Sequence, residues 1–416
     1  MTVRDSSLRI VVTGLIAQHP RLGGITWHYL QYVLGLARLG HDVYYVEDSG
    51  EVPYNATGGV SGDDWTANDC SANVAHLSGG MTRFGLEDRW AYRNAPTSRW
   101  HGLPDVRRRE VIASADLLLN VSGSLENPQD YRVIGRLAYI DTDPVVTQAK
   151  FVTGLIGFPQ RVVAHDVHFS FGERLTDVVP DTGHTWRPTR QPIVLSEWSP
   201  ADTSRDAFTT VMNWTSYPPL RWKGRLVGQK DVEFRHYAEL PRRVAPIPME
   251  VALSPTPHAD WQAQELDPRD LLTRGGWRVA DADATCGDLD GYRDYIRSSR
   301  AEWSVAKNAY VQGSPAWFSE RSACYLASGR PVVVQDTGFG AVLPVGEGLL
   351  SFATPRQAAE AVREVDRDYA RHSRAARAIA ETYFDSGKVL AKLIDTAMAV
   401  GTPHQGTASD SDAGSV

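Results

Sequence analysis

Cysteine is scarce in this chain: three occur among 416 residues, Cys70, Cys286 and Cys324, none close to another. That scarcity leaves no disulfide framework and no close pair of thiols for a structural metal, and it fits a reducing compartment. Long apolar runs are missing as well, since no stretch approaches the roughly 18 residues that cross a bilayer. The polar start, Met1 to Ser7, leads into a short apolar run without the paired basic and apolar regions of a secretory signal. The expectation is a cytoplasmic protein with no membrane span. Positive charge is also in short supply, with 43 Lys and Arg against 50 Asp and Glu, for a net charge of −7. Binding to nucleic acid rests on clustered cations that neutralise phosphates, so no nucleic-acid polymer is expected as a partner. A small molecule or carbohydrate is expected in its place.

What is present is ordinary globular composition, 42% hydrophobic and 22% charged, in a chain long enough for two cores of about 200 residues. The opening is the clearest pattern. An apolar run Leu8 to Thr13 reads as a strand, a loop spans Gly14 to Gly24, and Leu30, Val33, Leu34 and Ala37 follow at i, i+3, i+4, i+7, one face of a helix. Gly40 stops that helix and Asp42 to Val46 reads as the next strand, which completes a right-handed β-loop-α-β unit. Further strands are expected at Asp116–Val121, Leu137–Ile140 and Arg161–Ala164. The Gly, Asn, Asp and Trp rich region 51–105 has poor periodicity and reads as a long insertion or lid near a cleft.

After the proline-rich connector Pro188 to Pro192 a second series begins, with strands expected at Phe208–Met212, Glu250–Leu253, Trp277–Val279 and Pro331–Val334. A helix from Ser319 to Ser328 opens on an N-cap serine and closes at Gly329. Another opens at Thr354-Pro355 and carries Ala358, Ala361, Val362, Val365 and Tyr369 on one face. Helical spacing resumes from Arg371 to Phe384 and again after Asp385-Ser386, at Val389, Leu390, Leu393 and Met398. The expected organisation is therefore α/β: a Rossmann-like domain over 1–187, a second over 188–370, helices over 371–400 that pack back on the first, and a disordered tail over 401–416. The tail is Gly, Ser, Thr, Ala and Asp with almost no apolar content to offset its ordering entropy.

In open α/β sheets ligands bind beyond the carboxyl ends of the strands, where helix N-termini offer backbone N–H groups to anions. The loop Gly14 to Gly24, with Gly23-Gly24 before the helix, leaves room for a phosphate or sugar at Gly24, although a plain turn fits it equally. It is not the G-x-G-x-x-G fingerprint, so neither NAD nor FAD is expected. The segment SPAWFSERSACYLASGRPVVVQDTGFG, Ser314 to Gly340, is more specific, because Ser319 caps a helix whose first turn is suited to cradle a diphosphate without a metal.

Here the chain resembles the glycosyltransferases of the GT-B fold, in which two Rossmann-like domains face a cleft. Their second domain carries a helix ending A-x-G-x-P-V-V, matched by Ala327, Gly329, Pro331, Val332 and Val333, and then a glycine-containing sugar loop, matched by Asp336-Thr337-Gly338. GGITWHYLQYVLGLARLGHDVYYVE is similar to the glycine loop, helix and second strand of the acceptor domain. SRAARAIAETYFDSGKVLAKLID is similar to the terminal helices that cross back to it. The resemblance implies donor contacts at Gly24, Ser319, Glu320, Arg321, Asp336, Thr337 and Gly338. One departure matters: the retaining enzymes' E-x7-E pair falls here on Ala316 and Cys324, so an inverting outcome is expected. Three other features suit the donor. Arg221 and Lys223, in RWKG, could neutralise a leaving diphosphate in place of a divalent metal. Asn213 ends a strand, and Trp277-Arg278 is placed to meet the base.

A base must take the proton of the attacking acceptor hydroxyl. The candidates are His19, Asp141, Asp143 and His168, with His165 and Asp166 beside the last. The cluster HDVH is not read as a metal site, because side chains alternate along a strand. The function expected is transfer of a hexosyl unit, glucose from UDP-glucose, to a hydroxyl of a small acceptor such as a natural product or nucleoside, with no metal and no cofactor beyond the donor. A UDP-sugar epimerase of the same fold and a non-catalytic sugar- or nucleotide-binding protein are the alternatives.

Overall fold

The computed structural model describes residues 7–53, 69–201, 205–254 and 267–400. The first domain runs β1 (Arg9–Thr13), α1 (Gly23–Arg38), β2 (Asp42–Glu47), α2 (Ser71–Thr82), β3 (Trp90–Asn94), β4 (Arg99–Gly102), α3 (Asp105–Ser114), β5 (Leu117–Val121), β6 (Leu137–Asp141), α4 (Val146–Val152), α5 (Phe158–Val163), β7 (Val167–Ser170) and β8 (Trp186–Pro188). Its strands form one sheet in the order β4-β3-β2-β1-β5-β6-β7-β8. All neighbours are parallel except the β3–β4 pair at the edge. The central strands are apolar throughout, as in Leu117–Val121, where every residue is buried; a parallel sheet covered on both faces demands that.

The second domain runs β9 (Phe208–Met212), β10 (Leu220–Trp222), β11 (Arg225–Val227), α6 (Lys230–Phe234), α7 (Leu240–Val244), β12 (Met249–Leu253), α8 (Pro268–Gly275), β13 (Arg278–Asp281), α9 (Ala282–Cys286), α10 (Leu289–Ser298), β14 (Ala301–Ser304), α11 (Asn308–Gly313), α12 (Glu320–Ala327), β15 (Val332–Gln335), β16 (Leu349–Phe352), α13 (Pro355–Arg367), α14 (Tyr369–Tyr383) and α15 (Ser386–Ala399). Its parallel sheet has the order β13-β12-β9-β14-β15-β16, with β10 and β11 as a separate hairpin. The strand order reverses between β1 and β5 in the first sheet and between β9 and β14 in the second. These are the crevices where α/β sheets take ligands.

Several elements differ from expectation. Arg161–Ala164 is not a strand; Pro159 at the start of α5 favours helix, and the strand follows at Val167–Ser170. Residues 69–105 are no lid, since α2, β3 and β4 belong to the first domain, and residues 54–68 lie outside the described residues, as does the tail 401–416. Trp277 precedes β13 instead of opening it. The unpredicted strand β14 is central to the second sheet; its Glu302 broke the apolar pattern, yet that side chain is fully buried against Arg321 Nε at 2.7 Å. Of the two terminal helices expected on the first domain, α14 instead packs along α12 in the second, through Ala376, Ile379 and Ala380, and α15 lies on α1.

The domains dock through one face of α1. Trp27 Nε1 donates to the Leu289 carbonyl at 2.8 Å, and Gln31 Nε2 donates to Glu320 at 2.7 Å while its oxygen accepts from Val194 N at 2.9 Å. Gly23 and Gly24 make this approach possible: a Cβ on Gly23 would overlap the Asp288 carbonyl, and one on Gly24 would lie 2.8 Å from the Tyr292 ring. Gly23→Ala should therefore destabilise the whole chain by roughly 1–3 kcal/mol in denaturant melts, the usual cost of overpacking. Gly79→Ala in α2, where nothing lies within 4 Å of an added Cβ, should be neutral or stabilising by up to about 1 kcal/mol. Equal effects at the two positions would remove the packing role given to Gly23.

Candidate active site

At the β9/β14 crevice α12 presents its N-terminus. Ser319 has the extended backbone of an N-cap, φ −81° and ψ 140°, yet its side chain caps nothing. Its hydroxyl and the first-turn amides of Glu320, Arg321 and Ser322 are left to a ligand. The Ser322 hydroxyl is buried without a partner, which is rare enough to need a reason. Ser319, Arg321 and Ser322 line a small pocket here with Ser304, Ala306, Trp317, Phe318, Gln335 and Thr337.

The charges around it are unequal. Arg321 is spent internally, with Nε on Glu302 at 2.7 Å, one terminal nitrogen on the Val211 carbonyl at 2.9 Å and the other on the Ser304 hydroxyl at 2.7 Å. Lys307 pairs with Asp143 of the first domain at 3.0 Å. Lys230, at the start of α6, has no hydrogen bond or ion pair to any described residue. Burial, then the charges of Arg321 and Lys307, hold its pKa well below the usual lysine value, against a smaller pull from Glu302. The site thus offers an uncompensated cation, open helix amides and idle hydroxyls. That is the arrangement an anion completes.

The other expected donor residues are placed differently. Arg221 and Lys223 lie on the exposed β10–β11 hairpin, whose turn Lys223-Gly224 has φ +47° and +75°. The less exposed cation nearby is Lys230, just beyond. Trp277 is core, its Nε1 bonded to the Ala238 carbonyl at 2.9 Å, and Arg278 pairs with Asp206 on the surface at the opposite end of the sheet. Gly24 is covered by Tyr292, so no phosphate reaches it. Glu320 faces the first domain, held by Gln31 and by Cys324 Sγ at 3.1 Å, and burial lifts its pKa to about 7. Asn213 follows β9 at the crevice, partly exposed. Asp336 turns back to the Gly338 amide, and Thr337 donates to the Trp317 carbonyl at 2.5 Å. This pins the loop carrying Gly338 to the one leading into Ser319.

In the first domain, most of the expected bases are committed to structure. Asp141 accepts four hydrogen bonds, from Asp143 N, Thr147, Gln148 and Ser170, at 2.6–3.0 Å. Asp143 takes Lys307 and the hydroxyls of Tyr217 and Tyr310 from the second domain. Burial raises its pKa, but the lysine charge and the two hydroxyls outweigh that and leave it lowered. His168 Nε2 donates to the Val162 carbonyl at 2.8 Å among Tyr139, Trp186 and His184, and burial takes its pKa down to about 4. His165 contacts Asn120 at 3.0 Å and Asp166 pairs with Arg132 at 2.8 Å. Among the described residues no group of three His, Cys, Asp or Glu side chains is placed to hold a metal ion. His19 lies in the loop after β1, half-buried, with its pKa lowered to about 4 by desolvation.

That loop is governed by a residue the sequence reading passed over. Glu47, fully buried at the end of β2, accepts from Ala17 N at 2.8 Å, Gln18 N at 2.7 Å and Tyr45 OH at 2.6 Å. The loop amides that seemed open to phosphate are therefore filled by the protein's own carboxylate. Two signals were available: an acidic residue ending an apolar strand, and a loop directly after the neighbouring one.

Compared by sequence, the chain matches no protein-family model and no curated protein. Compared by structure, it is similar to an α-glucosyltransferase solved with UDP, at a TM-score of 0.56 and 13% identity over 94% of this chain and 100% of that one. It is also similar to HepE of Anabaena solved with UDP-glucose, at 0.55 and 11% over 93% and 98%, and to the sucrose-phosphate synthase of Thermosynechococcus elongatus, at 0.50 and 11% over 94% and 100%. At such identities the likeness is one of fold, and the fold is GT-B. One expectation is corrected here. The α-glucosyltransferase is also solved with UDP-glucose and DNA containing an abasic site, at a TM-score of 0.54 and 12% identity, so the exclusion of nucleic acid does not stand for this architecture. Net charge was the wrong quantity, because local fields in a groove govern such contacts.

Glu47 gives a pH prediction. Burial raises its pKa from 4.5 to about 7 against the pull of its three donors. A raised carboxyl contributes stability that is full below about pH 4.5 and lost as pH rises through about 7. Relative to Glu47→Gln, the wild type should lose roughly 3 kcal/mol across that window, the linkage value of such a shift. Parallel stability curves for the two proteins would show that Glu47 is not protonated on folding.

Proposed function

We propose that this chain is a metal-independent glycosyltransferase that moves a hexosyl unit, glucose from UDP-glucose, to an acceptor hydroxyl held against the first domain. The single observation that carries the reading is the open N-terminus of α12, where Ser319 and Ser322 have idle hydroxyls, with Lys230 unpaired and close enough to Arg321 to feel its charge. A leaving UDP gathers negative charge as the glycosidic bond breaks. Fixed amides and a desolvated ammonium stabilise that charge without reorganising. The named partners of the similar folds, UDP and UDP-glucose, support the choice of donor.

The acceptor proton is assigned to His19, at the carboxyl end of β1 beside the first sheet's crevice, in an inverting transfer. The acceptors to offer are small hydroxylated compounds and DNA.

Three measurements test this together. Lys230→Gln should weaken UDP binding at least about tenfold in calorimetry, the cost of one charge-assisted contact, without lowering the melting temperature, because an unpaired, half-buried charge is removed. His19→Ala should leave UDP binding intact and lower turnover about a hundredfold or more. EDTA should change neither. UDP binding that survives Lys230→Gln, or turnover that needs an added divalent ion, would overturn the proposal.

A further inference from the structure

The segment that joins α4 to α5, Thr153 to Gly157, ends the first domain in an apolar tip. Ile156 is 97% exposed, Leu155 46%, and Val163 of α5 and Val152 of α4 are 57% and 38%. Val133, 61% exposed, lies on the adjoining turn, where its neighbour Arg132 bonds the Ala164 carbonyl. Gly154 and Gly157 flank the tip with φ of +68° and +74°, and nothing lies within 4 Å of an added Cβ at either. The two left-handed glycines thus push Leu155 and Ile156 outward as adjacent side chains on a convex point.

Exposed aliphatic residues gathered at one loop tip mark a candidate interaction surface. A protein partner fits poorly, since the tip offers a few hundred Å² at most, against roughly 800 Å² a side in a stable interface. A bilayer needs no complementary surface and accepts a convex apolar wedge. Charge points the same way. From Pro144 to His165 there is no Asp or Glu, while Arg161 makes no side-chain ion pair or hydrogen bond to a described residue. Lys150, the other cation of this stretch, is turned inward with Nζ 4.8 Å from the Tyr217 ring. The rest of the chain is net acidic, which sets this acid-free stretch apart. No helix of the described residues is long and apolar enough to cross a membrane; shallow insertion asks for none.

We propose that the Leu155-Ile156 tip inserts into a phospholipid bilayer carrying anionic headgroups, with Arg161 beside it at the headgroup level. The tip follows directly on Asp143 and α4, which frame the first domain's side of the cleft, so a chain seated this way holds the cleft at the lipid surface.

Co-sedimentation of the full chain with vesicles of phosphatidylcholine and phosphatidylglycerol tests the proposal. Wild-type protein should pellet with them, and Leu155→Ser/Ile156→Ser should weaken the partition about tenfold or more with an unchanged melting temperature. Arg161→Gln should weaken it about fivefold on these vesicles and not at all on phosphatidylcholine alone. The proposal is overturned if the wild type stays in the supernatant or if the double variant binds as the wild type does. It is equally overturned if gel filtration without lipid shows the double substitution converting a self-associated species to monomer, which would make the tip a contact between copies.

Discussion

A lysine partly withdrawn from water with no counterion is costly to fold around, and Lys230, half-buried and unpaired among the described residues, is in that position. Its two cationic neighbours do not share the problem. Arg321 has Glu302 and Lys307 has Asp143. The cost at Lys230 has a purpose only if an anion arrives to remove it. The head of α12, where amides and the hydroxyls of Ser319 and Ser322 stand open, is where that anion is best received. The strand order of the second sheet puts this point at its reversal, so fold and electrostatics select the same place. The buried Glu302–Arg321 pair is part of the same construction, because it fixes the first turn of α12 against the central strand β14.

Lys307 ties this half of the molecule to the other. Its ammonium lies near enough to Lys230 to depress that residue's pKa, and it also holds Asp143 in the turn after β6. Tyr217 and Tyr310 bind the same carboxylate. The two domains therefore meet through a charged clasp on the cleft side and through the glycine-lined face of α1 on the other.

Much of the fold could be read from residues alone, and the failures have physical causes. The β1–α1–β2 unit was plain because each period in it is uninterrupted. The helix at Ser319 was plain because a cap, a glycine and a proline mark its ends. β14 was missed because Glu302 looks exposed until Arg321 is known to cover it. The site was less accessible. Ser319 could be picked out from its N-cap position, but Arg221 and Lys223 could not be told from Lys230 by charge. The Lys223-Gly224 pair, which favours a two-residue hairpin turn, was the clue that those cations face water. Asp141 and Asp143 looked like free carboxylates because the partners that bind Asp143 lie 74 to 167 positions away in the chain. Gly23 and Gly24 suggested a phosphate loop when their lack of side chains serves helix packing instead. A glycine reports that something comes close, not what it is.

The most direct measurement of the central claim is a crystal structure of the chain with UDP bound. The account predicts the diphosphate at the first turn of α12, within hydrogen-bond distance of the Ser319 hydroxyl and the amides after it, with Lys230 Nζ as its counterion and no metal between. A diphosphate bound elsewhere, or held at that helix through a divalent ion with Lys230 turned away, would contradict it.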